Sequence, residues 1–243
     1  MRSPTANGRR FAIYFAPPAD SPLHRFGSAC LGRDVATGAE LSPPVLDGLT
    51  AERWRQIARS PLMYGFHATL KPPFHLAGEC DPEDLVQRLE RFAALRQPFE
   101  SSPLRVARIS NFLALVLRAE STALSDLASA CVCGFDNFRA PPAPDELARR
   151  RRAPLTPRQQ ELLAAWGYPY VLDEWRFHMT LASGLERTEA DHLRLALDRA
   201  AAPLCSAPLL VDAVCLFEQP APDAPFRLAR RFPFGGGAPR HAE

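Results

Sequence analysis

The chain has 243 residues, 29 basic against 27 acidic side chains, a formal net charge of +2 at pH 7, and 47% hydrophobic with 23% charged residues. That composition is that of an ordinary globular protein, one large domain or two small ones, with enough chain for a substantial core. The charge balance excludes a grip on long nucleic acid by bulk phosphate neutralisation, so a small partner is expected.

The N-terminal charges precede an apolar run of only about six residues, too short for a signal-peptide core, and no segment approaches a membrane span. The expected location is cytoplasmic. Six cysteines are spread along the chain, Cys131 and Cys215 within apolar runs, which suits reduced buried thiols better than a disulfide framework. Cys131 and Cys133 form CxC and not the CxxC of a zinc knuckle, and no HExxH occurs. No metal and no other cofactor is expected.

In chain order, RFAIYFAPP reads as a strand that joins a first sheet. GFHATLK, residues 65–71, alternates strictly: Phe66, Ala68 and Leu70 are apolar, while His67, Thr69 and Lys71 lie on the other face of a predicted strand. DPEDLVQRLERFAALRQ follows, with Asp81 as cap, Pro82 in the first turn and Leu85, Leu89 and Phe92 at helical spacing. SSPLRVARISNF and LALVLRA read as strands. STALSDLASACVCGF is a predicted helix ending at Gly134. After a long arginine-rich turn comes a helix capped by Thr156, with Pro157 inside and Gly167 beyond its end.

The order then recurs. RFHMTLA, residues 176–182, repeats the alternation, with Phe177, Met179 and Leu181 apolar and Arg176, His178 and Thr180 opposite. TEADHLRLALDRA is a helix with Thr188 and Asp191 spaced as a capping box. SAPLLVDAVCLF aligns with SSPLRVARISNF from Ser206 and Ser101, setting Pro208 beside Pro103, and FRLARRF supplies a last strand. A short biased tail follows Phe234. A lone histidine in an apolar run is ordinarily structural. Two aromatic–His–apolar–Thr–Leu runs in the same register, each followed by helix and strands, describe an internal duplication.

The expected fold class is α+β: a single bilobal domain over residues 1–243, with lobe 1 roughly at 10–120, lobe 2 roughly at 160–234 and a helical connection at 121–166. Each pseudo-symmetric lobe is an antiparallel sheet with outer helices, and the two face each other across a central cleft. Two imidazoles facing one cleft supply a base and an acid near neutral pH, which is what phosphodiester cleavage needs. The candidate catalytic residues are therefore His67, Thr69, His178 and Thr180, the threonine hydroxyls serving as donors to phosphate oxygens.

The pair His67-Ala68-Thr69-Leu70 and His178-Met179-Thr180-Leu181 resembles the paired HxTx motifs of the two-histidine phosphoesterase superfamily. GRRFAIYFAPP, HRFGSACLGRD, YGFHATLKPPF, WGYPYVLDEWRFHMTL and FRLARRFPF look like its branch associated with phosphonate metabolism, over about Arg10 to Phe234. The resemblance implies metal-independent hydrolysis of a small cyclic phosphodiester, such as a phosphoribosyl cyclic phosphate. His24 and Ala182 depart from the pattern.

Lys71 is the one lysine among 28 arginines and sits on the predicted face of His67, as Arg176 sits on that of His178. Both are candidate phosphate contacts. Arg25, Tyr14, Tyr64, Tyr168 and Tyr170 are candidates to line the cleft. The run Arg149 to Arg152 could receive a second phosphate or RNA, but a charge run is ordinarily a solvated face. Two other readings stay open: a phosphodiesterase acting on RNA 2',3'-cyclic ends or 2'-5' linkages, and a non-catalytic module that binds a nucleotide or sugar phosphate.

Overall fold

β1 (Arg10–Phe15) and β2 (Ala68–Phe74) pair antiparallel, as the first motif strand and RFAIYF were expected to do. With β7 (Ala213–Gln219) and β8 (Arg227–Pro233) they form a sheet in the order β2-β1-β7-β8. A second antiparallel sheet has the order β5-β4-β3-β6, from β3 (Phe99–Ile109), β4 (Phe112–Leu117), β5 (Met179–Ser183) and β6 (Pro208–Val211). Each motif strand stands at the edge of its own sheet. The computed structural model describes residues 8–46, 49–152 and 154–236; most of the tail after Phe234 lies outside them.

Seven α-helices flank these sheets among the described residues: α1 (Pro22–Leu31), α2 (Ala51–Leu62), α3 (Pro82–Ala94), α4 (Thr122–Gly134), α5 (Pro144–Arg150), α6 (Pro157–Trp166) and α7 (Arg187–Ala201). The helix ends read from sequence hold for three of them. Asp81 and Asp84 make a capping box on α3, α4 stops at Gly134, and on α6 Thr156 and Gln159 make a capping box while Gly167 ends the helix in the left-handed region at φ 72°. α7 differs. It begins at Arg187, and Ala190 N–H donates to Glu186 C=O at 2.8 Å, so Thr188 and Asp191 lie within the first turns and form no capping box. α1 and α2 were not foreseen, and α5 occupies part of the stretch read as an arginine-rich turn.

The α+β architecture with two helix-flanked antiparallel sheets is the one expected, but the sheets do not follow the division of the chain at 10–120 and 160–234. β3 and β4 leave the first motif strand and join β5, while β7 and β8 leave the second and join β1. The cause is a crossing of the two repeats. Pro103 on β3 pairs with Pro208 on β6, so the two aligned prolines meet across a pseudo-dyad. One residue, Asp212, then separates β6 in one sheet from β7 in the other.

The helices interlock in the same way, with α2 packed on β5 and α4 on β2. Ile13 and Leu70 from the first sheet, and Phe66 just ahead of β2, therefore share one apolar core with Leu113, Met179 and Leu181 from the second. Burial of that shared surface, at roughly 25 cal/mol per Å² of apolar area, fixes the sheets relative to each other. No helix among the described residues is long and apolar enough to cross a membrane.

Candidate active site

His67 and His178 each stand one residue ahead of their strands, which begin at Ala68 and Met179 and not at Gly65 and Arg176 as predicted. The alternation nonetheless governs burial: Phe66, Ala68 and Leu70, and Phe177, Met179 and Leu181, are all buried. The polar partners face a cleft of about 510 Å³ that His67, Thr69, His178 and Thr180 line together.

The two imidazoles are held identically. His67 Nδ1–H donates to the Gly65 carbonyl at 2.8 Å, and His178 Nδ1–H donates to the Arg176 carbonyl at 2.9 Å, each two residues back. A carbonyl only accepts, so the proton sits on Nδ1 and each Nε2 is the working nitrogen. His67 Nε2 lies 3.2 Å from Thr69 Oγ1, which donates to it when the ring is neutral. Gly65 can present its carbonyl because it adopts φ 76°, and a Cβ there would come within 2.5 Å of Val35 Cγ2.

His67 is half-buried, with its ring stacked on Tyr14 at a centroid distance of 3.7 Å and 15° between planes. Desolvation is the main cause that lowers its pKa from 6.5 to about 4; the Gly65 carbonyl works the other way, and the positive charge of His178 adds to the lowering. Burial raises the phenol pKa of Tyr14 and of Tyr168, so both remain neutral hydroxyls.

Of the other candidates, Tyr14, Tyr64 and Tyr168 line the cleft. Tyr64 stacks on Phe226 at 5.6 Å, and Tyr168 carries the Arg150 guanidinium over its ring at 4.7 Å. Lys71, Arg176, Arg25 and Tyr170 do not line it; Tyr170 is exposed, its ring edge-on to Tyr168 at 5.8 Å. Lys71 is buried on the other side of β2, its Nζ donating to the Val132 carbonyl at 3.0 Å and to Asp136 Oδ1 at 3.1 Å. The strand register explains this: Tyr14 pairs with Thr69 but Ile13 pairs with Lys71, so one extra residue on β2 breaks the alternation after Thr69. Lys71 thereby shares the core-facing side of Ile13. Burial lowers its pKa. Burial pushes the Asp136 carboxyl up, but bonds from Arg139 and Lys71 outweigh that and hold it below its ordinary value.

Arg176 is exposed and bonds the Asp173 and Trp175 carbonyls, lining a neighbouring groove with Arg105 and Arg118. Arg25 is exposed on α1 and donates to the Asp20 carbonyl. The departing residue His24 is buried, with Nε2 at 3.2 Å from both Asp34 Oδ1 and Ser28 Oγ.

Three charged residues of the cleft stand outside the candidate contacts: Arg10, Arg149 and Arg150. Arg10 had a legible signal, since it lies two alternations from Tyr14 on the same face of β1. Arg149 and Arg150 belong to the run for which a solvated face outweighs a second phosphate as the expectation, and the placement of α5 carries these two members to the cleft. A roomier depression of about 1050 Å³, lined by Leu46, Leu49, Arg53 and residues of α7, holds neither motif. Among the described residues no group of three or more His, Cys, Asp or Glu side chains is placed to hold a metal ion.

Fold and site together define a bilobal α+β protein in which two crossed repeats bring paired His-x-Thr motifs to one cleft. The chain belongs to the family described as "Protein of unknown function (DUF1045)", whose family model matches residues 69–227. It is 37% identical over 235 residues to "Ribose 1,5-bisphosphate phosphokinase PhnN" of Janthinobacterium sp. (strain Marseille), a match covering 95% of this chain and 52% of that relative. The protein of the same name from Laribacter hongkongensis (strain HLHK9) is 36% identical over 223 residues, covering 91% of this chain and 51% of its own. The chain thus spans about half the length of the curated relatives it matches. Similar solved structures include TT0787 of Thermus thermophilus, with 17% identity, a TM-score of 0.43 and coverage of 94% of this chain and 100% of that one. E. coli LigT complexed with 3'-AMP has 14% identity, a TM-score of 0.42 and coverage of 93% and 98%.

Proposed function

We propose that this protein hydrolyses a small cyclic phosphodiester by acid/base catalysis between His67 and His178, without a metal. The observation that carries the reading is the matched pair of His-x-Thr motifs on one cleft, each imidazole locked through Nδ1 so that Nε2 is available. A binding module would need donors there, not two titratable rings.

His67, neutral at pH 7 with its pKa lowered to about 4, takes the part of base. Its Nε2 removes a proton from water as the water oxygen forms its bond to phosphorus. His178 in its protonated form gives its Nε2 proton to the departing ester oxygen as the P–O bond breaks. The ring opens to a phosphomonoester and a free hydroxyl, and exchange with solvent restores both histidines. Thr69 and Thr180 donate to the non-bridging oxygens, where negative charge grows.

The substrate we assign is a phosphoribosyl cyclic phosphate of phosphonate breakdown. The sequence resemblance supports it. The relatives support it too, since their name makes ribose 1,5-bisphosphate a substrate, and a cyclic phosphate joining the C1 and C2 oxygens of ribose 5-phosphate gives that sugar when it opens with phosphate kept on C1. The phosphokinase activity in their name is not proposed for this chain. A second reading, RNA 2',3'-cyclic ends, draws on the groove with Arg105, Arg118 and Arg176, but Arg118 and Arg176 already donate to backbone carbonyls.

The test is turnover by purified protein in excess EDTA, followed by phosphorus NMR, on cyclic ribose phosphates and on RNA 2',3'-cyclic ends. Conversion of the sugar compound to a monoester is expected, faster than that of RNA. Loss of activity in EDTA with recovery on zinc or manganese, or no turnover of any cyclic phosphate, overturns the proposal.

A further inference from the structure

The cleft that holds the histidines also holds three arginines and no acidic side chain: Arg10, Arg149 and Arg150 stand among its lining residues. Their charges are not equally available. Arg150 is paired with Glu146 at 2.6 Å. Among the described residues neither Arg10 nor Arg149 has a carboxylate within salt-bridge distance. Two guanidinium charges with no carboxylate partner among the described residues therefore face one open cleft, where their like charges favour an anion between them.

Arg10 is also a built donor. Its Nε donates to Gln219 Oε1 at 2.6 Å, and its guanidinium packs over Phe226 at 5.5 Å. Gln219 is buried, and its own amide nitrogen donates to the Pro222 and Ala224 carbonyls at 3.0 and 2.7 Å. The amide is thus fixed from behind and offers its oxygen to Arg10. Both Nη groups of Arg10 have no hydrogen-bond partner among the described residues. They are held in orientation without being consumed.

The spacing is set by β1. Arg10, Ala12 and Tyr14 share one face, because β1 pairs with β7 in unbroken register from Arg10 to Tyr14. Arg10 and Tyr14 are thus about 13 Å apart along the strand at roughly 3.3 Å per residue, and Tyr14 stacks on His67. An arginine side chain spans part of that separation, leaving room for a sugar between an anion at Arg10 and a phosphorus atom at His67.

We infer that Arg10 and Arg149, with Arg150 beside them, form a second anion subsite that selects cyclic phosphodiesters carrying a distal phosphomonoester. A monoester is close to a dianion at pH 7, matching the two uncompensated charges, and its oxygens suit the guanidinium fork. The subsite rests on the cyclic phosphodiesterase reading for its role in turnover but not for its binding of the monoester. It deepens that reading by making the far end of the substrate a determinant of specificity.

The experiment has two arms on the full chain. In the first, kcat/KM is compared for ribose 1,2-cyclic phosphate with and without a 5-phosphate; the wild type should prefer the phosphorylated compound by about 100-fold, and Arg149→Gln and Arg10→Gln should each cut that ratio by about 10-fold. Arg158→Gln, on α6 and outside the cleft, should leave it unchanged. In the second, ribose 5-phosphate binding is measured by calorimetry, with no chemistry required; Arg149→Gln, an exposed change with little bearing on folding, should weaken it about 10-fold. If no cyclic compound turns over but the arginine variants still weaken ribose 5-phosphate binding, the catalytic reading fails and the subsite stands. Equal affinity in wild type and Arg149→Gln, or equal kcat/KM for the two cyclic compounds, overturns the subsite.

Discussion

The indole N–H of Trp175 donates to the carbonyl oxygen of Thr69 at 2.7 Å, so the segment entering the second motif is bonded directly to the backbone of the first. Trp175 is buried and lies three residues before His178. The bond ties the approach to one histidine to the strand carrying the other, across the two sheets. Trp175→Phe keeps most of the apolar packing and deletes the bond. It should cost about 1–2 kcal/mol in urea denaturation and lower kcat by roughly 10-fold, because small misplacement of a catalytic pair is expensive in rate. Lost stability with unchanged kcat would assign the bond to the fold alone.

The catalytic assignment predicts an order among variants. His67→Ala and His178→Ala should each lower turnover by about 10²- to 10⁴-fold, and Thr69→Ala and Thr180→Ala by roughly 10- to 100-fold. All four side chains face the cleft, so circular dichroism and melting should register little change. A histidine variant with near-normal rates on the phosphorylated substrate would sink the mechanism.

The lowered pKa of His67 makes two pH predictions. Its folded value, about 4, lies below the ordinary 6.5, so between these values the unfolded chain binds more protons. This group's contribution to stability is fully present above about pH 6.5 and is lost as pH falls toward 4. Denaturation midpoints of the wild type should therefore drop more steeply over that window than those of His67→Gln. The acid limb of kcat/KM should fall near pH 4; a limb near 6.5 would mean that the free enzyme's base is not this ring.

Lys71 is assigned here to the core. Lys71→Met should destabilise the protein by about 1–3 kcal/mol, because the Val132 carbonyl and Asp136 lose a buried donor. KM should stay unchanged. Asp136 keeps its bidentate partner Arg139, at 2.8 and 3.0 Å, which limits the damage. A raised KM with normal stability would return the lysine to the cleft.

Gly65→Ala tests the carbonyl that holds His67. A side chain at φ 76° is strained, and its Cβ would meet Val35 at 2.5 Å. A loss of about 1–3 kcal/mol is expected, together with a fall in kcat as the Nδ1 bond is displaced. The double variant with Val35→Ala should recover part of the stability, because the contact is relieved while the backbone strain stays.

The alternation in GFHATLK and RFHMTLA determined by itself that Phe66 and Phe177 would be buried and that His67, Thr69, His178 and Thr180 would turn the other way, since side-chain direction along an extended segment has a period of two. Asp81, Thr156 and Gly167 marked helix ends for an equally local reason, as each satisfies backbone groups within one turn. The fate of Lys71 was beyond that logic. A bulge arises only when β2 meets β1, and one unpaired residue reverses the side chains that follow it until the next irregularity in register, which here lies beyond Lys71. The exchange of β3–β4 and β7–β8 between the sheets was likewise illegible, because the sequence says which residues extend but not which strand each will pair with. Arg149 and Arg150 reached the cleft through the docking of α5, which no local pattern encodes. Periodicity and capping are properties of neighbours in the chain, whereas pairing, bulges and helix placement follow from which distant surfaces bury the most apolar area together.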